Sequence, residues 1–304
     1  MTTVDYLNSR EDLLSPGISA CQGCMAELSL RQVLKILGKK TILIVPPGCM
    51  AGAAVGGWNK SLGTKIPAAM PQLGNSASML AGIKAAYDLV DPDVHCLAYA
   101  GDGGTADIGL QALSAAAERK DNIIDVCNDN EAYMNTGFQK SGTTPHGART
   151  STTPVGSVGK GKVNFKKDVP MMMAMQNAAY VATLCPAYMD DFVAKVKKAA
   201  EIRDGLVYLH ILNACPTGWG SKPEQSIRLG RAAVRSRYFL LYEYRNYEFT
   251  VSAPTKNIRT PADITDFIKG QKRFAHLDED DYAEIRTVVD KRWENLRKLA
   301  GLPE

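Results

Sequence analysis

The sequence predicts an α/β fold, with a mostly parallel sheet covered by helices on both faces. Apolar segments of strand length alternate with amphipathic segments of helix length, which favours this class. The strand-like segments are apolar almost throughout, as is typical of parallel strands buried on both faces. These predicted strands are Thr41–Val45, His95–Ala100, Asn122–Cys127 and Leu206–Leu212.

Helices are predicted between these strands. In the first of them, apolar residues recur at helical spacing from Leu30 to Leu37, and Gly38 follows as a residue that often ends a helix. The predicted helices are Ala26–Leu37, Ser76–Leu89, Ile108–Arg119 and Asp190–Ile202.

Two regions depart from this alternation. His146–Asp168 is a polar loop rich in Gly, Thr, Ser, Pro and Lys, and so long a structureless stretch is usually functional or ordered by a partner. From Lys222 onward there is a polar arm, followed by a charged helix at Asp280–Leu299. We therefore expect one domain over residues 1–220 and an irregular C-terminal extension over 221–304, packed on that domain or on a partner subunit.

Composition narrows the class of protein. The 304 residues carry a formal charge of +4, from 36 basic and 32 acidic residues spread along the chain. This charge is too small and diffuse to favour a nucleic acid partner. The first residues are polar and charged, and no apolar stretch approaches the roughly 20 residues of a membrane helix. We expect a cytoplasmic protein with no membrane partner.

A glycine-rich turn follows the predicted strand His95–Ala100. Glycines in Gly101-Asp102-Gly103-Gly104 let the backbone approach a phosphate, and the helix that follows has an electropositive start. Asp102 would be a hard oxygen ligand beside that phosphate, which suits Mg²⁺. The next predicted strand ends just before Asn130, and a βαβ crossover places the two strand ends side by side, so Asp102 and Asn130 can share one cation. Taken alone, the tetrapeptide could also be a simple tight turn.

Four of the seven cysteines lie in loops. Cys21 and Cys24 form a CxxC, Cys49 follows the strand Thr41–Val45, and Cys215 follows Leu206–Leu212. Such cysteines can converge on one edge of the sheet, where four thiolates would suit either a 4Fe-4S cluster or zinc. The remaining three, Cys96, Cys127 and Cys185, are expected to be buried core residues.

Several segments together resemble one family. The chain contains Cys21-Gln22-Gly23-Cys24, GDGGTADIGLQALSAA from Gly101, NEAYMNTGFQKSGTTP from Asn130, and ACPTGW from Ala214. In this order they resemble the thiamine diphosphate-binding β subunits of 2-oxoacid:ferredoxin oxidoreductases, the pyruvate synthase group. The resemblance spans about residues 15–220.

The resemblance implies a set of ligands. The diphosphate would lie on Gly101, Gly103 and Gly104, while Asp102, Asn130 and the Ala132 carbonyl bind Mg²⁺. Asn135 would lie near the reactive thiazolium as the catalytic residue of this chain, with Thr136 also at the cofactor. The same resemblance implies that a 4Fe-4S cluster, rather than zinc, is held by four cysteines: Cys21, Cys24, Cys49 and Cys215.

The resemblance also implies an activity that this chain cannot complete alone. The reaction would be oxidative decarboxylation of a small 2-oxoacid, with electrons leaving singly through the cluster to ferredoxin and coenzyme A usually collecting the acyl group. The carboxylate that activates the thiamine aminopyrimidine comes from a different subunit in this family. A non-redox thiamine decarboxylase or synthase with a structural zinc site is the alternative.

Some positions depart from the family pattern. Gly17–Cys21 lacks the usual His, Met25 stands where Gly is usual after the second cysteine, and Ala68–Asn75 replaces an aromatic segment. These changes fall in loops expected around the cofactor. Neutral drift would explain some of them. A divergent substrate such as oxalate, which would leave a one-carbon fragment and need no coenzyme A, would explain them at least as well.

Overall fold

The computed structural model describes residues 1–56, 63–157 and 159–303. Within these residues, eight strands form one sheet in the order β10-β9-β7-β8-β4-β3-β1-β2, and two more form a small hairpin, β5-β6. The strands are β1 Thr41–Ile44, β2 Ala68–Ala69, β3 His95–Gly101, β4 Ile124–Asp129, β5 Val155–Gly156, β6 Gly159–Lys160, β7 Tyr180–Leu184, β8 Val207–Leu212, β9 Tyr242–Arg245 and β10 Glu248–Val251. From β7 to β2 the pairing is parallel throughout.

Helices cover both faces of the sheet. On one face α2 and α7 pack through residues such as Leu30 and Phe192, and on the other α4, α5 and α6 pack through Leu80, Leu113 and Met173. The described α-helices are α1 Thr3–Asn8, α2 Met25–Leu37, α3 Cys49–Ala51, α4 Ser76–Tyr87, α5 Leu110–Arg119, α6 Val169–Met175, α7 Met189–Glu201, α8 Pro216–Trp219, α9 Ser226–Arg235, α10 Ala253–Lys256, α11 Thr265–Ile268 and α12 Glu279–Leu299.

The predicted α/β class is confirmed, and the predicted elements lie within about two residues of the observed ones. The central strands β3, β4 and β8 are buried on both faces, which explains why β3 and β8 are largely apolar without alternation. Strand β4 differs, because it also carries the buried polar residues Asp125, Asn128 and Asp129. The cysteines expected in the core, Cys96, Cys127 and Cys185, are buried.

The C-terminal region is more regular than the sequence predicted. β9 and β10 form an antiparallel hairpin, and β9 pairs antiparallel with β7, so two strands from beyond residue 220 extend the sheet. Inward-facing Tyr242 and Tyr244 anchor the hairpin in the core, which overrides the polar character of the segment. The division at residue 220 stays a prediction.

The polar loop His146–Asp168 is held by contacts within this chain, apart from residue 158, which lies outside the described residues. Lys162 donates to the carbonyl oxygen of Thr144, Lys167 pairs with Asp107 at 2.8 Å, and the His146 ring stacks on Phe165 at 4.6 Å. Contact of this loop with a partner subunit stays a prediction. Within the described residues, no helix combines the length and apolar composition needed to cross a bilayer.

Candidate functional site

A pocket of about 130 Å³ opens at the carboxyl edge of the sheet, beyond the ends of β1, β3 and β4. This is the position at which parallel α/β sheets usually bind ligands. All the residues predicted for the thiamine site line it, as does one of the cluster cysteines: Gly101, Asp102, Gly103, Gly104, Asn130, Ala132, Asn135, Thr136 and Cys49. We call it the thiamine pocket.

Three groups with oxygen atoms converge at the base of this pocket. One end of the Asn130 carboxamide lies 3.2 Å from Asp102 Oδ1 and 2.8 Å from the Ala132 carbonyl oxygen. Ligands at about 2.1 Å from an octahedral Mg²⁺ are separated by about 3.0 Å along an octahedral edge. With the carboxamide oxygen at this end, the three atoms match such an edge arrangement. With the amide nitrogen there instead, the same atoms would form two hydrogen bonds. The residues therefore fit a small hard cation.

Asp102 is held in place by hydroxyl groups. It is buried, and the Oγ atoms of Ser141 and Thr143 donate to its Oδ2, the latter at 2.7 Å. Burial and the neighbouring carboxylate of Asp129 raise the pKa of Asp102 well above its usual range, while these two hydrogen bonds act in the opposite direction. The hydroxyls leave Oδ1 facing Asn130.

The backbone at Gly103 requires the absence of a side chain. A Cβ there would overlap the ring of Tyr133, whose hydroxyl donates to the Gly103 carbonyl oxygen at 3.0 Å. The chain turns from β3 into a π-helical segment, Gly103–Ile108, before α5 begins. This close packing of the glycine turn against the Asn130 segment brings the two halves of the predicted motif together.

The turn that carries Asn130 and Ala132 is fixed through Glu131. Its backbone has φ +67°, a left-handed conformation that a non-glycine residue adopts at a cost. The Glu131 carboxylate is fully buried and accepts hydrogen bonds from Tyr238 Oη at 2.9 Å, from Lys166 Nζ at 3.0 Å and from Arg273. These partners come from the polar loop and the C-terminal region, and the sequence interpretation missed them.

Asp129 continues this buried network. His210 Nε2 lies 2.9 Å from its Oδ2, and the Thr143 hydroxyl that contacts Asp102 also lies 2.8 Å from its Oδ1. Burial alone would raise the pKa of Asp129, but Lys166 and His210 outweigh it and hold that pKa well below the usual range. The His210 ring in turn contacts Tyr208 Oη at 2.8 Å, so a chain of polar contacts runs under the pocket.

The four predicted cluster cysteines lie at one edge of the sheet. Cys24 precedes α2, Cys49 begins α3 directly after β1, and Cys215 precedes α8 after β8. Burial raises the pKa of the Cys49 thiol to about 12, and the neighbouring thiols of Cys215, Cys24 and Cys21 act in the same direction. Cys21 is exposed, so this group of cysteines reaches the protein surface.

Backbone N–H groups reach two of these sulfur atoms, although burial raises the pKa of Cys24 and raises that of Cys215 to about 11. The Gly218 backbone N–H donates to Cys215 Sγ at 3.3 Å, and Cys24 accepts from the backbone at Ala26 and Glu27. Within the described ranges, no three His, Cys, Asp or Glu side chains converge tightly enough to hold one metal ion.

One side chain connects the two sites. Trp219, at the end of α8 beyond Cys215, is buried, and its Nε1 donates to the Asn130 carbonyl oxygen at 2.8 Å. Asn135 and Thr136 lie on the exposed rim of the thiamine pocket. Met134 lies beside them against Gly218, where a Cβ would overlap its sulfur.

Fold and site together define a thiamine diphosphate-binding enzyme subunit. Residues 48–211 match the family described as "Thiamine pyrophosphate enzyme, C-terminal TPP binding domain". Within this class, the chain belongs to the family of β subunits of 2-oxoacid oxidoreductases, which confirms the resemblance seen in the sequence.

The similar proteins agree on this family. The chain is 42% identical to the pyruvate synthase subunit PorB of Methanothermobacter thermautotrophicus, over 94% of this chain and 98% of that protein. It is 39% identical to the ketoisovalerate oxidoreductase subunit VorB of Pyrococcus furiosus, over 95% of this chain and 94% of that one. The chain is also 43% identical to the β subunit of NADH-dependent phenylglyoxylate dehydrogenase from Aromatoleum evansii. That match covers 92% of this chain and 62% of the other protein's length.

A solved structure shares the fold. The 2-oxoglutarate:ferredoxin oxidoreductase from Magnetococcus marinus, solved with 2-oxoglutarate, coenzyme A and succinyl-CoA bound, superposes with a TM-score of 0.58 at 20% identity. The match covers 76% of this chain and 80% of the other.

Proposed function

We propose that this chain is the β subunit of a 2-oxoacid:ferredoxin oxidoreductase that oxidatively decarboxylates a small 2-oxoacid of the pyruvate type. The observation that carries the proposal is that three oxygen-bearing groups, in an arrangement that fits a cation, and four cysteines lie at one edge of the sheet. A cofactor that splits carbon–carbon bonds and a one-electron acceptor would then lie side by side.

The residues at the base of the pocket would hold the Mg²⁺. Asp102 Oδ1, the Asn130 side-chain oxygen and the Ala132 carbonyl oxygen supply three ligands, and the diphosphate of the cofactor would supply others. Gly101, Gly103 and Gly104 leave backbone exposed to the diphosphate. The buried contacts of Glu131 would keep this turn in place.

Thiamine diphosphate, when bound, supplies a nucleophilic carbon and accepts the electrons released as CO₂ leaves. Asn135 and Thr136 lie at the rim, where their polar groups would orient the substrate. Cys21, Cys24, Cys49 and Cys215 would hold a 4Fe-4S cluster that takes electrons one at a time. Cys24, Cys49 and Cys215 are half-buried against the core, which would limit the access of water to the cluster.

Other subunits complete the enzyme in this proposal. They would supply the carboxylate for the aminopyrimidine and further clusters, ferredoxin would accept the electrons, and coenzyme A would accept the acyl group. The exposure of Asn135 and Thr136 at the pocket rim supports a partner that covers it. The assembly would act in the cytoplasm.

Oxalate is a second candidate substrate. The departures at Gly17–Cys21, Met25 and Ala68–Asn75 would suit it, because they spare the predicted ligands. They do not all fall in loops as the sequence predicted: Met25 begins α2 and Ala68–Ala69 form β2, whereas Leu73 lines the thiamine pocket. With oxalate, turnover would proceed without coenzyme A.

The test is an anaerobic purification of the native complex. It is assayed with pyruvate, 2-oxoisovalerate, 2-oxoglutarate, phenylglyoxylate and oxalate, with and without coenzyme A. We expect turnover coupled to reduction of ferredoxin for at least one of these acids. A complex that binds thiamine diphosphate but turns over none of them would contradict the proposed activity.

Iron analysis tests the cluster separately. Cys49→Ser should remove about four iron atoms per β chain and the visible absorption that they cause. The matched control is Cys96→Ala, because Cys96 is buried within β3 away from the predicted cluster. This variant should keep the full iron content of the complex. An iron-free, colourless complex that remains active would favour the non-redox decarboxylase or synthase instead.

A further inference from the structure

A second pocket, of about 50 Å³, lies between the polar loop and the C-terminal helix α12. We call it the α12 pocket. Most of its wall is apolar and is formed by side chains such as Pro145, Phe165, Ile268, Phe274, Ile285 and Val289. One water molecule needs roughly 10–15 Å³ of such space, so a chain of a few carbon atoms fits here. The apolar wall favours such a chain over water.

Two cations interrupt this apolar wall. Lys166 and Arg292 line the pocket, and none of its described lining residues carries a carboxylate. Lys166 Nζ donates to Glu131 at 3.0 Å and to Asp129 at 3.4 Å, which uses two of its three N–H groups. Arg292 Nη2 donates to Asp168 at 2.9 Å, and a guanidinium has five N–H groups. Both cations therefore keep donors for one further acceptor in the pocket.

The acceptor that fits best is a single carboxylate. A multiply charged phosphate would be buried against a mostly apolar wall, and the two cations that it would meet already have carboxylate partners. A neutral hydrocarbon would leave the donors of both cations without a new acceptor. A short apolar chain that ends in one carboxylate satisfies the wall and the cations together.

The α12 pocket adjoins the contacts that hold the Asn130 turn. Lys166 and Tyr238 both line the pocket, and both donate to the same oxygen of Glu131, at 3.0 Å and 2.9 Å. Glu131 has the left-handed backbone that lies between Asn130 and Ala132. A carboxylate in the pocket would compete with Glu131 for the ammonium group of Lys166. Its binding would therefore loosen the turn on which the cofactor site depends.

We propose that the α12 pocket binds a short-chain monocarboxylate as an effector, and that this binding weakens the binding of thiamine diphosphate. Lys166 and Arg292 bind the carboxylate, and the wall around Phe274 and Val289 binds the chain. The coupling to the cofactor rests on the proposed role of the Asn130 turn, whereas the pocket itself does not. Because 2-oxoacids are also short carboxylates, the test uses acids that lack a 2-oxo group and cannot react at thiamine.

The test measures the affinity of the purified native complex for isobutyrate, acetate and isobutyramide by calorimetry. Acetate lacks two carbons of the chain, and each buried methylene is worth about fourfold in affinity, so its Kd should be about 15-fold higher than that of isobutyrate. Isobutyramide keeps the shape but loses the charge, so its Kd should be at least about tenfold higher.

Two variants locate the binding. Arg292→Gln removes one cation, and Val288→Phe fills the pocket from a half-buried position on α12. Each should raise the Kd for isobutyrate about tenfold. The matched control is Arg286→Gln, because Arg286 lies on the same helix and pairs with Asp290 but does not line the pocket. Since one variant removes charge and the other removes space, a folding defect in either leaves the other informative.

The coupling is measured in the same complexes. Saturating isobutyrate should raise the Kd for thiamine diphosphate about tenfold, and the cofactor should raise the Kd for isobutyrate by the same factor, because coupling between two sites is reciprocal. Equal affinity for the three probes would overturn the inference, as would an unchanged Kd for isobutyrate in both variants, which would place the acid elsewhere. A cofactor affinity that isobutyrate leaves unchanged would overturn the coupling. None of these measurements needs turnover, so a failure of the proposed function is detected separately, in the assays with 2-oxoacids.

Discussion

Replacing Glu131 with glutamine should destabilise the chain and weaken cofactor binding together. The carboxylate is fully buried between Arg273 and Lys166, with 0% of its side chain exposed. Glutamine has the same shape but turns one acceptor into a donor that faces a buried guanidinium. Disrupting a buried ion pair in this way costs about 3–5 kcal/mol, a large share of the roughly 5–15 kcal/mol that stabilises a domain.

This cost can be read in two assays on the purified complex. For a chain of this size the melting temperature should fall by about 10 °C. The Asn130 turn, with its left-handed Glu131, would no longer be held, so Mg²⁺-dependent thiamine diphosphate binding should weaken at least tenfold. Thermal unfolding with and without the cofactor, and calorimetric titration, give both numbers.

Glu243→Gln is the matched control for this prediction. Glu243 also accepts from a tyrosine, Tyr180, and from a lysine, Lys198, whose side chain is 51% exposed. Solvent screens that pair, so the control should lose about 1 kcal/mol or less and bind the cofactor normally. A loss of about 1 kcal/mol lowers the melting temperature of a chain of this size by about 2 °C. A melting temperature for Glu131→Gln that lies within about 2 °C of wild type would therefore refute the reasoning.

Three further predictions concern single side chains. Gly103→Ala should displace the Tyr133 ring and lower the bound thiamine diphosphate about tenfold at saturating Mg²⁺, with the far-ultraviolet circular dichroism unchanged. A thiamine diphosphate content equal to that of wild type would contradict the close packing. Trp219→Phe removes the donor to the Asn130 carbonyl oxygen and should weaken cofactor binding several-fold, measured by titration. Unchanged affinity would show that Trp219 does not support the Asn130 turn. Burial raises the pKa of Asp125 to about 7, so its ionisation opposes folding as pH rises from about 4 to 7, by about 4 kcal/mol in total. The free energy of unfolding of Asp125→Asn, measured with urea, should therefore fall less than that of wild type between pH 5 and pH 8. If the two proteins lose the same stability over this range, the Asp125 carboxyl is not buried as described.

The central strands and the cofactor turn could be predicted because their physical causes are local. Strand β3 is apolar from Cys96 to Ala100 and leads into the glycine turn that begins at Gly101, and both features are visible within ten residues of sequence. The same applies to Cys49 and Cys215, which directly follow β1 and β8. Parallel packing then places all these strand ends at one edge of the sheet.

The network around Glu131 could not be predicted in this way. Lys166 and Arg273 are charged residues in polar segments and resemble solvated surface side chains. They are buried because of a partner that lies 35 and 142 residues away in sequence, respectively. The β9–β10 hairpin did leave a local signal, since Tyr242 and Tyr244 alternate with polar residues before the turn at Asn246.

The central claim is that Asp102, Asn130 and Ala132 bind the cation through which thiamine diphosphate is held. The most direct test is the amount and affinity of thiamine diphosphate bound by the purified complex carrying Asp102→Asn, with Mg²⁺ as the added metal. Asp107→Asn is the control, because Asp107 is a nearby carboxylate that pairs with Lys167 instead. The account predicts at least a 100-fold loss of affinity for Asp102→Asn, equivalent to about 2.7 kcal/mol, and wild-type affinity for the control. Wild-type affinity in the Asp102→Asn complex would contradict it.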